Sequence, residues 1–173
     1  MHRLVAVVLL AIAPLWAAGE LSNRRAPGFS LPDVKFNQHD LADYRGKVVL
    51  LEIMLTNCPH CITFAPVLEK VFKKYGGRVQ VLSLVNPPDS DVTVTKFTGT
   101  HKLSYPILFD CGQVAGSYMK ATPQRPSFDT PHLFLIDQNG QIRNDWGYGM
   151  FTRGIFEGDA LFGEIDKVLN SQK

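Results

Sequence analysis

The chain has 173 residues, of which 45% are hydrophobic and 20% charged, and its formal net charge is +2 at pH 7. Lys and Arg are scattered along it and no acidic tail is present, so neither a nucleic-acid-binding face nor an acidic partner-binding segment is indicated. Three cysteines are too few for a disulfide-stapled scaffold, and their odd number suggests one pair and one spare thiol.

The first 19 residues have the pattern of a secretory signal peptide. A positively charged start at 1–3 precedes an apolar run over 4–18, and small residues at 17–19 precede Glu20. The run is shorter than the roughly 20 residues of a membrane-spanning helix, so an uncleaved anchor is the second choice. We therefore expect residues 1–19 to be a cleaved signal peptide and residues 20–173 to form one domain that is exported, periplasmic or secreted.

Strand and helix patterns alternate along the rest of the chain. After a turn-rich stretch, residues 48–55 are apolar without alternation, which is typical of a strand buried on both faces. Helical spacing of apolar residues predicts a helix over 59–75 that two glycines end. The further predictions, in chain order, are a strand over 78–85, a weak helix over 89–103, an extended piece at 105–110, helical turns over 113–119, a strand over 131–137, a hairpin turn at 138–140, a strand over 141–146, a loop over 147–156 and a helix over 159–170. This order predicts an α/β fold with a mixed sheet and helices packed on it.

Two of the cysteines form a Cys58-Pro-His-Cys61 motif at the junction between the buried strand and the first helix. Backbone N–H groups of a first helical turn favour negative charge, so Cys58 is expected to react as the thiolate. Cys61, one turn later, is expected to be more buried and to attack the mixed disulfide in a second step. Pro59 fits the first helical position, and His60 is expected to favour the thiolate and thereby stabilise the reduced form.

The two thiols are also compatible with other uses. A zinc site needs four ligands, and no second Cys-x-x-Cys motif occurs. A copper-binding chaperone would use Cys58, Cys61 and His132, whereas a purely structural crosslink would resist glutathione. Thiol-disulfide exchange is preferred, and it predicts neither a metal ion nor an organic cofactor because electrons pass through thiols.

Two further residues attract attention. Glu52 lies inside the apolar run before the motif, where an unpaired carboxylate is costly, so we expect it to be protonated or paired. The functional interpretation is a proton relay that accepts the proton of Cys61, and the alternative is an ion pair with a nearby lysine. Nothing around Cys111 would activate its thiol, so it is interpreted as an ordinary free cysteine.

Several motifs occur together in this chain: the Cys58-Pro-His-Cys61 motif after an apolar strand, Pro66 in the following helix, and Thr130-Pro131 opening a later strand. Together they resemble the thioredoxin superfamily. The runs at 26–32 (APGFSLP) and 41–49 (LADYRGKVV) resemble its exported TlpA/ResA-like branch. The resemblance implies a thioredoxin-like three-layer fold, with a four- or five-stranded mixed sheet between helices, an N-terminal extension, and a cis peptide at Thr130-Pro131.

The resemblance also implies roles for individual residues. Cys58 matches the attacking cysteine and Cys61 the resolving cysteine of a redox-active disulfide. Pro131 matches the cis-proline beside the pair, and it is implied to present backbone to a protein substrate together with Thr130. Tyr148 lies in a loop that rims the active site in this fold. It would either contact the partner there or simply cover the hairpin.

Other positions bear on the reaction. Glu52 matches a buried acid of the superfamily. Asn57 replaces the usual tryptophan before the first cysteine and Phe64 replaces an acid of many reductases, while the Pro-His dipeptide is that of DsbA-like oxidases. Leu55 replaces the threonine of peroxiredoxins, which argues against a peroxidase. The sequence therefore predicts a monomeric thiol-disulfide oxidoreductase acting on protein thiols or disulfides, with a reductase, for example in cytochrome c maturation, and an oxidase both compatible with the motifs.

Overall fold

The computed structural model describes residues 19–171, so the expected signal peptide lies, apart from Gly19, outside the described residues. The strands are β1 (Arg24–Arg25), β2 (Ser30–Pro32), β3 (Gln38–Asp40), β4 (Val48–Met54), β5 (Val79–Val85), β6 (Ile107–Phe109), β7 (His132–Ile136) and β8 (Gln141–Gly147). The helices are α1 (Pro59–Tyr75), α2 (Asp91–His101), α3 (Gln113–Met119), α4 (Arg153–Glu157) and α5 (Leu161–Asn170). Between residues 19 and 171, no helix combines the length and the apolar character needed to cross a bilayer.

A mixed sheet with the strand order β1-β8-β7-β4-β5-β6 forms the middle layer. Strand β4 pairs in parallel with β5 and antiparallel with β7, and all of its residues are buried. An unbroken apolar run is what a central strand covered on both faces requires. The expected mixed sheet is confirmed, with the two-residue strand β1 added at its edge, while β2 and β3 form a separate hairpin.

Successive residues of β4 point to opposite faces of the sheet, which creates two cores. Leu50 packs in a core with α1, α2, α4 and α5, and this side is called the α1 face. Leu51 packs in a second core with α3 and with residues of the N-terminal segment such as Phe29, and this side is called the α3 face. The three-layer arrangement with an N-terminal extension is therefore confirmed.

Helix α1 begins and ends at the predicted residues. Cys58 is its N-cap, and Pro59 occupies the first helical position, where the missing N–H costs no hydrogen bond. The helix continues through Pro66 and ends at Gly76, which adopts a φ of +53° that glycine tolerates well. The Pro-His dipeptide thus belongs to the first turn, and Cys58 lies at the mouth of the helix.

Two elements differ from the sequence-based expectation. The helix predicted over 89–103 is shorter, because Ser90 and Thr93 form a capping box that starts α2 at Asp91. The loop predicted over 147–156 contains the short helix α4, whose Phe156 is buried. Five residues are too few to show a helical period, so the apolar pattern could not indicate α4.

Candidate active site

Cys58 is a half-buried thiol in contact with two backbone groups. Its Sγ accepts a hydrogen bond from the Cys61 backbone N–H at 3.4 Å, and its thiol donates to the Thr130 carbonyl oxygen at 3.5 Å. A helix N–H aimed at the sulfur stabilises negative charge there. Cys58 is therefore partly accessible to solvent, and its sulfur lies against a first-turn N–H of α1.

Cys61 differs from Cys58 because it is fully buried in the core of the α1 face. Burial, followed by the charge of Glu52 and the Cys58 thiol, raises the pKa of Cys61 far above its ordinary value. Such a thiol does not ionise spontaneously near neutral pH, so it needs a base at the moment it acts as a nucleophile.

Glu52 is a fully buried carboxyl group on β4. The Ser83 hydroxyl, from the register partner of Glu52 on β5, donates to Oε2 at 2.6 Å. Burial raises the pKa of Glu52 from 4.5 to about 7, with the Ser83 hydrogen bond opposing this rise. Within residues 19–171, Oε1 has no hydrogen-bond partner, and the alternative of a lysine ion pair is not found among the ion pairs of this part of the chain. Glu52 can therefore change its charge close to neutral pH.

Tyr105 belongs to the same buried cluster, although the sequence analysis missed it. Its side chain is buried, and its pKa is raised well above the ordinary value by burial and then by the charge of Glu52, with a smaller effect of Cys61. No local pattern indicates this proximity, because Tyr105 precedes β6, far along the chain from β4.

The Thr130-Pro131 peptide bond is cis, as the resemblance implied. The carbonyl of Thr130 faces the Cys58 thiol, and the Pro131 carbonyl accepts the backbone N–H of Tyr148 at 3.2 Å. The structure therefore brings the predicted substrate-binding residues Thr130, Pro131 and Tyr148 together beside the thiol pair.

His60 and Tyr148 are in direct contact, which the sequence analysis did not anticipate. Their rings stack with centroids 3.7 Å apart and planes inclined by 17°. His60 is exposed, like Pro59 beside it, and Tyr148 is 37% exposed. Two residues to which different roles were assigned thus form one surface feature next to Cys58.

The loop before Cys58 is held by Asp89, a second contact that sequence reasoning missed. Asp89 Oδ2 accepts the Thr56 backbone N–H at 2.9 Å, and Asp89 Oδ1 accepts the Thr56 hydroxyl. The Thr93 hydroxyl of α2 also donates to Oδ1, at 2.9 Å. Asp89 therefore ties the N-terminal end of α2 to the segment that precedes Cys58.

His132 does not join the thiols, so the copper-ligand set of Cys58, Cys61 and His132 is corrected here. His132 packs on Phe134, two residues along the same strand, with ring centroids 4.7 Å apart. Its ring therefore lies on the α3 face, whereas Cys61 lies on the α1 face. Its Nε2 is 3.1 Å from Asp145 Oδ2. Within the described residues, no group of three or more His, Cys, Asp and Glu side chains could hold a metal ion.

The remaining cysteine, Cys111, is an exposed free thiol just before α3. Its exposure differs from the part-buried thiol and the buried thiol of the motif. Neither the fold nor the contacts of the described residues connect it to the pair.

Comparisons with known proteins agree with this geometry. Residues 23–145 match the family model described as the AhpC/TSA family. The thiol-disulfide oxidoreductase ResA of Geobacillus kaustophilus is 35% identical over 122 residues, which cover 68% of this chain and 64% of that protein. The thioredoxin-like protein YneN of Bacillus subtilis is 28% identical over 141 residues, which cover 80% of this chain and 78% of that protein.

The fold has a close structural counterpart. The crystal structure of a thiol:disulfide interchange protein of the thioredoxin family from Chlorobium tepidum superposes with a TM-score of 0.71 at 18% identity, covering 85% of this chain and 97% of the other. This similarity establishes the thioredoxin-like fold. The chain spans about 64% of the length of the ResA protein that it matches.

Proposed function

Because the chain belongs to the AhpC/TSA family and has a thioredoxin-like fold, we propose that it is a thiol-disulfide oxidoreductase acting on proteins through Cys58 and Cys61. One observation carries the proposal: a reachable thiol at a helix mouth precedes a buried thiol that lies near a carboxyl group with a pKa of about 7. A nucleophile, a resolving thiol and a base are thus present in one site.

In the first step, the Cys58 thiolate attacks one sulfur of a substrate disulfide. A bond forms between Cys58 Sγ and that sulfur, the substrate S–S bond breaks, and the other substrate sulfur leaves as a thiolate. The Cys61 N–H stabilises the attacking sulfur. Thr130 and Pro131 lie next to it, so their backbone is placed to pair with the substrate chain, and the exposed part of Tyr148 would contact the partner.

In the second step, Cys61 resolves the mixed disulfide. The Glu52 carboxylate takes the Cys61 proton, and the new thiolate attacks Cys58 Sγ. The bond between Cys58 and the substrate sulfur breaks, and that substrate sulfur leaves as a thiolate. The site is left with a Cys58–Cys61 disulfide, and two electrons have passed to the substrate. The reverse sequence oxidises a protein dithiol, so the equilibrium constant against the partner decides between a reductase and an oxidase.

The same proposal places the protein outside the cytoplasm. The charged start, the apolar run over 4–18 and the small residues before Glu20 support export through a cleaved signal peptide, and protein thiols or disulfides of that compartment would be the partners. N-terminal sequencing of the protein recovered from a periplasmic or secreted fraction tests this. A start at Glu20 is expected, whereas an intact N-terminus in the cytoplasmic fraction would contradict export.

A glutathione redox titration with alkylation and peptide mapping tests the activity. We expect a reversible two-electron equilibrium between the Cys58–Cys61 disulfide and the two free thiols. Cys111 should be alkylated as a free thiol at every glutathione ratio, and Cys111→Ser should have the wild-type equilibrium constant. Cys61→Ser should accumulate a mixed disulfide at Cys58, and Cys58→Ser should abolish exchange. A crosslink that glutathione does not reduce would overturn the proposal, and so would trapping at Cys61 first.

A further inference from the structure

The His60–Tyr148 stack is a close contact between two surface residues. The ring centroids are 3.7 Å apart and the planes are nearly parallel. Within residues 19–171, the His60 imidazole has no hydrogen-bond partner, although His60 lies in the first turn of α1 next to the thiol pair. The Tyr148 ring is therefore the contact that restrains the position of the imidazole.

Tyr148, in contrast, is anchored to the fold from several sides. Its ring meets Phe156 edge to face at 5.4 Å, and Phe156 meets Phe64 of α1 at 4.8 Å. Its backbone N–H donates to the Pro131 carbonyl at 3.2 Å. The following turn is closed by the Thr152 hydroxyl, which donates to the Gly147 carbonyl at 2.6 Å. The stack therefore joins a side chain that has few restraints to one that has many.

We propose that Tyr148 is a positioning residue for the thiol pair, holding the His60 imidazole at the helix mouth and thereby stabilising the reduced form. This inference rests on the proposed exchange function. An imidazole N–H held in the first turn of α1 can donate toward the N-cap sulfur as that sulfur gains negative charge in the exchange, and the nearly parallel stack on Tyr148 limits where that N–H can lie. Since Tyr148 also donates to Pro131, it connects the helix mouth with the segment that would bind the substrate.

The expected effect is a shift in the redox equilibrium. Tyr148→Leu removes the ring face, so the reduced form loses stabilisation and the equilibrium constant with glutathione moves about three-fold toward the Cys58–Cys61 disulfide. Tyr148→Phe keeps the ring face and should restore the wild-type value. Phe151→Leu is the matched control, because Phe151 lies in the same loop, is 99% exposed and has no ring partner within the described residues.

A double-mutant cycle separates positioning from general loosening of the loop. In a His60→Ala background, Tyr148→Leu should cause no further shift, because its effect passes through His60. A Tyr148→Leu protein with the wild-type equilibrium would overturn the proposal. An equal shift with and without His60 would also overturn it.

Proton NMR tests the contact independently of the redox chemistry. Protons above the face of an aromatic ring are shielded, so the His60 ring resonances should lie upfield and move downfield in Tyr148→Leu but not in Phe151→Leu. If the wild-type protein forms no reversible disulfide, the proposed function fails whatever this spectrum shows. If exchange is normal and the His60 resonances are unshifted, the positioning role alone fails.

Discussion

Glu52 and Asp145 are buried carboxyl groups on opposite faces of the same sheet, and their pKa values shift in opposite directions. Glu52, on the α1 face, receives one hydrogen bond from the described part of the chain, from the neutral Ser83 hydroxyl, and its pKa is raised to about 7. Asp145 pairs with Phe134 in the β7–β8 ladder and so lies on the α3 face. Burial alone would raise its pKa, but hydrogen bonds from His132, Ser22 and the Leu21 backbone lower it.

Burial therefore does not fix the sign of a pKa shift by itself, because the donors around the carboxylate decide it. Asp145 is fully supplied with donors and fastens the N-terminal segment and His132 to the sheet. Glu52 has fewer hydrogen-bond donors around its carboxylate and lies near the thiols, where a group that ionises near neutral pH can accept a proton. One face of the sheet holds a structural acid, and the other holds an acid suited to the proposed reaction.

The largest expected effect comes from Asp145→Ala, which leaves the partners of the carboxylate buried and unpaired. We expect a loss of about 4 kcal/mol in the free energy of unfolding at pH 7. The folded pKa of Asp145 is depressed, so its contribution is present above the ordinary value of 3.8 and is lost as the pH falls through the folded value. Urea unfolding at pH 7 and at a series of pH values below 3.8 measures both.

Asp145→Asn is the matched control, because its amide oxygen still accepts hydrogen bonds. We expect this variant to lose about half as much free energy of unfolding as Asp145→Ala. Equal losses for the two variants would show that the donors do not hold Asp145 in the way proposed.

Glu52→Gln should have the opposite sign. The wild-type stability falls as the pH rises from 4.5 to about 7, since the folded state keeps a proton that the unfolded state releases, and the penalty then stays constant. Glu52→Gln removes that penalty, so it should be about 3 kcal/mol more stable than wild type at pH 8 and equal to it at pH 4. Urea unfolding measures this difference.

The same variant should lose function while it gains stability. Without the carboxylate, release of substrate from the mixed disulfide should slow by at least about ten-fold at pH 7, which stopped-flow fluorescence can follow. Destabilisation at pH 8 would mean that Glu52 has a charged partner, and the contrast with Asp145 would then disappear.

The sequence could reveal Glu52 but not Asp145, and the reason is the distance to their partners along the chain. An acid inside the unbroken apolar run of β4 is conspicuous by itself. Asp145 lies on β8, where polar and apolar residues are mixed, and its donors Leu21 and Ser22 are more than 120 residues away. A network of that span depends on how the N-terminal segment packs, which no local pattern encodes.

Element boundaries could likewise be predicted where their signals are local, whereas the face on which a side chain lies could not. Helix α1 was predicted to the residue because its cap, its Pro59 and its terminal Gly76 are local signals. The position of His132 directly after Pro131 in the sequence suggests that it lies near the thiols. Strand alternation turns the His132 side chain to the α3 face, away from Cys61. Which face it takes depends on the register of β7 against β4, which the sequence does not state.

Ser83→Ala tests whether the hydrogen bond from the Ser83 hydroxyl to Glu52 sets the Glu52 pKa. Without this hydrogen bond to the carboxylate, the Glu52 pKa should rise further, by about one pH unit. The pH midpoint of the resolving step should move upward by the same amount, which a pH profile of the mixed-disulfide decay measures. Ser104→Ala is the matched control, because its hydroxyl donates to Glu69 instead, at 2.7 Å. An unmoved midpoint in Ser83→Ala would mean that another group is the base.

Glu69 gives the smallest effect and the sharpest form of the comparison, because it is a buried acid on α1 itself. It accepts the Ser104 N–H and hydroxyl, each at 2.7 Å, and Lys73 lies 3.0 Å away. Burial opposes ionisation, but these donors lower its pKa below 4.5. If donors decide the sign, Glu69→Gln should lose about 1 kcal/mol at pH 7. Because the folded pKa of Glu69 lies below 4.5, the difference in urea unfolding should disappear as the pH falls through that lowered value. If burial on the α1 face decided the sign of the pKa shift instead, Glu69→Gln would gain stability at pH 8, as Glu52→Gln should.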